Sequence, residues 1–109
     1  MALAAPIRAV AVTPGGAATE ASDARCLVAF AALASQDDPA IKQAAQTGSM
    51  IFVGKLLGRN PSIDLETAMR KAVTDIGTNM RAETQRCGGE MQAIGTAMSR
   101  AGEAMAKKP

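Results

Sequence analysis

The chain has 109 residues, 48% of them hydrophobic and 20% charged, which suits one domain and excludes a wholly disordered polymer. Its net charge of +2 comes from 12 basic and 10 acidic residues scattered along the chain, so no polybasic block attracts nucleic acid or an anionic membrane. Histidine, tryptophan and tyrosine are missing, which removes the usual general base near neutral pH, the commonest transition-metal ligand and most base-stacking surface. An enzyme, a metal protein and a nucleic-acid binder are therefore all disfavoured.

Aromatics make up only 2% of the chain, Phe30 and Phe52. A core must then be built from Ala, Leu, Ile, Val and Met, which favours close helix packing and predicts an all-α fold. Met1 to Val12 is apolar apart from Pro6 and Arg8 and is too short to span a bilayer, which takes about twenty residues. Ala2-Leu3-Ala4 followed by Ala5-Pro6 is similar to the small-residue end of a secretory signal peptide, and an ordinary Ala-rich N-terminus is the alternative. Thr13-Pro14-Gly15-Gly16 interrupts regular structure, so residues 1–20 are expected to form a flexible tail ahead of a helical domain at 21–109.

Ser22 is a suitable N-cap for a first helix from Asp23 to Gln36, with Cys26, Leu27, Phe30, Leu33 and Ala34 at helical spacing. Asp37-Asp38-Pro39 signals a second start, an Asp cap followed by Pro in the first turn. Ile41, Ala45, Gly48, Phe52 and Leu56 form the stripe of this second helix. Between Met50 and Leu57 only Gly54 and Lys55 break the apolar run, which predicts that this helix is covered on several sides and central. Gly54 and Gly58 read as close packing or, at Gly58, as a C-cap. Asn60-Pro61 turns the chain. Ser62 or Asp64 caps a third helix that buries Leu65, Met69, Ala72, Val73 and Ile76 and exposes Glu66, Arg70, Lys71 and Asp75. Gly77 ends it, and Thr78 or Asn79 opens a fourth helix running to Lys107.

The fourth helix is the longest, and Met80, Thr84, Cys87, Met91, Ile94, Met98, Ala101 and Met105 line one stripe of it. The apolar phase passes unshifted through Gly88-Gly89, which argues against a break there. Met91, Met98 and Met105 lie about 10.5 Å apart along the axis, too far to share one copper ion. The preferred reading is core packing, and the alternative is an adaptable protein-binding groove that also includes Met50. Gly88, Gly95 and Gly102 repeat every seven residues beside the stripe and suggest close approach of another backbone. Helix 2 of the same chain is the preferred partner, and helix 4 of a second chain the alternative. Glu83, Glu90 and Glu103 alternate with Arg81, Arg86 and Arg100 as a solvated face does. No nucleotide loop, catalytic triad or zinc spacing occurs, so neither a cofactor nor a metal is expected.

Cys26 and Cys87 both fall on apolar stripes. An even pair in a chain of possible export suggests a structural disulfide, with two reduced buried thiols or a redox pair as alternatives. Closing a loop of about sixty residues is worth roughly 4 kcal/mol on chain entropy.

The run Phe52-Val53-Gly54-Lys55-Leu56-Leu57-Gly58-Arg59-Asn60-Pro61, with Asp64-Leu65 after it and Arg86-Cys87-Gly88-Gly89-Glu90 later, resembles a group of small exported bacterial helical proteins of unknown function. The resemblance covers roughly Arg25 to Met105. It implies export and pairing of Cys26 with Cys87, and it supplies no activity. The plan of few helices and one disulfide is also similar, in architecture only, to the HdeA-type periplasmic acid chaperones.

The sequence as a whole predicts a four-helix, single-domain protein stapled by one disulfide, periplasmic or secreted, that is not an enzyme. It acts by binding a protein partner through an apolar face of helices 2 and 4, with Met50, Met91, Met98, Met105, Gly95 and Gly102 as contacts. An acid-stress chaperone and a structural homodimer through helix 4 are the alternatives.

Overall fold

The computed structural model describes residues 19–107. The expected signal-peptide remnant and residues 1–18 of the flexible tail expected at 1–20 lie outside the described residues. Among those described there are four helices and no strand: α1 (Glu20–Leu33), α2 (Pro39–Arg59), α3 (Leu65–Ile76) and α4 (Met80–Lys107). No helix among them is long and apolar enough to cross a membrane. They divide into two compact units, one ending at Gln85 and one beginning at Arg86, so the division falls inside α4.

The local starts and stops follow their chemistry. Asp38 caps α2 through its Oδ1, which accepts from the Ala40 amide at 2.9 Å, with Pro39 at the first helical position. Asp64, not Ser62, caps α3 by accepting from the Thr67 amide at 3.1 Å. Gly77 ends α3 at φ 56° and ψ −120°, backbone that a side chain makes costly. Helix α1 begins earlier than predicted. Thr19 is its N-cap and Ser22 is its third residue, the two closing a reciprocal capping box in which the Thr19 hydroxyl accepts from the Ser22 amide at 3.0 Å and the Ser22 hydroxyl accepts from the Thr19 amide at 2.9 Å. Ser22 mimics a cap in the sequence because capping boxes carry a polar residue at both ends. Helix α2 runs through Gly58 to Arg59 and is capped at Asn60.

The central element of the first unit is α1, not α2. Residues 22–24 and 26–30 are all buried, and α1 packs against both α2 and α3. Its apolar run Cys26–Ala34 carries no polar face, and residues 26–30 of it are buried while Ala31 and Ala32 are exposed. Helix α2 buries one stripe, Ala45, Gly48, Phe52 and Leu56, while Ile41 and Leu57 stay partly exposed. In α3, Ala72 and Ile76 are buried, but Val73, predicted to be inside, is 57% exposed. A twelve-residue helix resting on one neighbour covers only a narrow stripe, and Val73 lies at its edge.

Aromatic contacts set the α1–α2 packing. The Phe30 and Phe52 rings stack with centroids 5.7 Å apart, and Phe30 lies so close over Gly48 that a Cβ there would fall 2.9 Å from its ring. Gly48→Ala is therefore expected to destabilise the protein by about 1–3 kcal/mol, despite alanine's better helix propensity. Urea unfolding monitored by circular dichroism checks this, and a variant at least as stable as the parent would show that the ring can yield. The other helical glycines differ. A Cβ on Gly54 or Gly58 would meet nothing within 4 Å, so their spacing does not mark close packing.

Candidate functional site

Helix α4 is continuous across Gly88-Gly89, and its predicted stripe is right in phase but not in burial. Cys87 is fully buried, Met80, Thr84, Met91 and Ile94 are half-buried, and Met98, Ala101 and Met105 are exposed. Met98 and Met105 stand 70% and 75% in solvent, which corrects the reading of them as core. The reason is length: 28 residues extend about 42 Å, more than one core layer needs. A Cβ on Gly88, Gly95 or Gly102 would meet nothing within 4 Å, so the close backbone approach read from their spacing is not made among the described residues. Met91, Gly95, Met98, Gly102 and Met105 thus share one helix and form an apolar, side-chain-poor surface. Met50 is 74% exposed on α2, on the side away from the Phe52 stripe.

Both cysteines are disulfide-bonded and none is free, so Cys26 of α1 and Cys87 of α4 are joined. Each is fully buried, which shields the bond from exchange and marks it as structural.

A charged cluster escaped the sequence reading. Asp23, in the first turn of α1, is fully buried, with Lys55 Nζ 3.0 Å from its Oδ1 and Arg59 donating to its Oδ2 at 3.0 Å. Lys55 and Arg59 are four residues apart on α2 and reach the carboxylate from partly exposed positions. The Lys55 ammonium also sits 4.7 Å from the centre of the Phe52 ring. The signal was a lone lysine inside the apolar run of α2, a position that needs an acidic partner. Arg25 pairs with Glu83 at 3.3 Å. Arg86 pairs with Glu90 at 2.6 Å, and Glu90 is buried, not part of a solvated face as its charge pattern suggested.

Within each of these pairs opposite charges meet. Among the described residues no three His, Cys, Asp or Glu side chains group to hold a metal ion. Two shallow depressions flank α3 in the first unit. One, of about 470 Å³, is lined by Val28, Ala31, Met69 and Val73 together with Glu66 and Arg70, and the other, of about 220 Å³, by Ala21, Ala24, Ala68 and Ala72 together with Glu20, Lys71 and Asp75. The charged side chains that α3 contributes to them are paired with each other, Arg70 with Glu66 at 2.7 Å and Lys71 with Asp75 at 2.9 Å. No family model, curated protein or solved structure matches the chain.

Proposed function

We propose that this is an exported helical protein that acts by binding a protein partner along the outer half of α4. The observation that carries the reading is the exposure of Met98 and Met105 on a stripe whose spacing is that of a helix-pairing seam. Met91, Met98 and Met105 occupy one position of the heptad, and Ile94 and Ala101 the other. Beside them Gly95, Ala97, Gly102 and Ala104 carry no charge and little bulk, so a partner helix can approach closely. Methionine suits such a face because its unbranched thioether adapts to the surface it meets. The buried disulfide supports export, since such bonds persist in oxidising compartments.

The test is capture from an extract of the host's exported proteins with the oxidised chain, beside a Met98→Glu/Met105→Glu variant. Both side chains are solvent-exposed, so the variant is expected to fold with unchanged stability while losing a protein that the parent retains. Gly95→Ala/Gly102→Ala adds an independent sign. It removes two helix glycines and should stabilise α4 by about 1 kcal/mol each, yet weaken capture by holding the partner helix away. Identical captured proteins from all three chains would refute the reading.

A further inference from the structure

The three most exposed large apolar side chains among the described residues are all methionine: Met105 at 75%, Met50 at 74% and Met98 at 70%, ahead of Val73 at 57%. Leucine has nearly the same helix propensity and no oxidisable atom, so helix formation does not explain the choice. The sulfur atoms of Cys26 and Cys87 are at the other extreme, disulfide-bonded and fully buried. A water-borne oxidant is therefore directed to the methionines. On α4, Met98 and Met105 stand about 10.5 Å apart on one face, with exposed Ala101 between them.

We propose that Met98 and Met105 are a reversible oxidation site, at which hydrogen peroxide turns the outer stripe of α4 from apolar to polar and leaves the core intact. In each step a lone pair of the thioether sulfur attacks one peroxide oxygen, and the S–O bond forms as the O–O bond breaks. The departing hydroxide takes up the proton left on the transferred oxygen and leaves as water. Sulfur is oxidised by two electrons and the peroxide is reduced. A dithiol enzyme of the sulfoxide-reductase class reverses the change, the oxygen leaving as water while its two thiols join in a disulfide. The sulfoxide is polar and chiral where the thioether was apolar and flexible. Because both side chains project into solvent, the change removes no core packing. Met80 and Met91, on the same stripe nearer Cys87, are half-buried and react more slowly, which confines the change to the outer part of the helix. Closure of the partner-binding face by the two sulfoxides rests on the binding role proposed above; the reactivity and the change in polarity do not.

The full chain, with its disulfide intact, is treated with dilute hydrogen peroxide and mapped by mass spectrometry over time. Met98 and Met105 should oxidise within about twofold of the rate at Met50, and about threefold or more faster than half-buried Met69, Met80 and Met91. On a hydrophobic-interaction column the treated protein should elute earlier than the untreated one, and prereduced reductases for both sulfoxide epimers should restore its retention. A treated Met98→Leu/Met105→Leu variant, whose other methionines still oxidise, should keep most of its retention. The urea midpoint should not move on treatment. Rates at Met98 and Met105 no higher than at Met91 overturn the proposal. Equal retention shifts in parent and variant, or retention that the reductases do not restore, overturn it too, and a lowered midpoint would make the oxidation a lesion of the fold. Capture from the extract of exported proteins separates this from the binding role. A partner lost on treatment and regained with the reductases supports closure, a partner held equally by treated and untreated chains refutes it, and a chain that captures nothing in either form fails the binding role alone.

Discussion

Replacing Cys26 and Cys87 together by alanine is expected to lower the free energy of unfolding by about 4 kcal/mol, most of what holds a domain this small. The bond closes a loop of about sixty residues, and its loss frees the unfolded chain far more than the folded one. That origin has its own signature. The freed chain exposes more surface on unfolding, so the urea m-value should rise as the midpoint falls. Both quantities come from one denaturation curve followed by far-ultraviolet circular dichroism, and reduction of the parent protein should reproduce them. A midpoint that barely moves would mean that helix packing alone constrains the chain.

The second large effect belongs to Asp23. Replacing Lys55 and Arg59 together by methionine keeps much of their apolar stems against Phe52 but removes both charges, leaving a fully buried carboxylate without its cations. Such a loss costs about 3–5 kcal/mol. Adding Asp23→Val to that variant should recover most of it, because an apolar group of similar size no longer needs the cations. The two sets of substitutions are then strongly non-additive, which is the mark of a network and not of two separate surface pairs. Additive losses in the same denaturation measurement would show that the cluster contributes only packing. The carboxylate has a further reason for its place: in the first turn of α1 it also faces the positive end of the helix dipole.

The two clusters answer different questions about the chain. The disulfide and the Asp23 pairs account for how α1, rich in alanine and short of large side chains, can anchor a fold with only two aromatic residues. Both cysteines and Asp23 are fully buried. The exposed methionine and glycine surface of α4 contributes little to the core, and its substitution should leave stability nearly unchanged or raise it.

The sequence by itself determined the helical class, the number of described helices and most of their ends. Those features depend on neighbours within a few residues: Asp38 and Asp64 as caps, Pro39 in a first turn, Gly77 at a positive φ, and a stripe period that ran unbroken through Gly88-Gly89. The candidacy of Cys26 and Cys87 was also legible, since an apolar setting and an even count need no coordinates. Tertiary structure alone decided which helix is enclosed and where each stripe stops being buried. A period places Met91, Met98 and Met105 on one line but says nothing of what that line meets, so residues identical in pattern end at different exposures. The same limit hid Asp23, whose partners stand more than thirty residues away on another helix. A buried charge is tolerable only through such distant pairing, and no local pattern records it.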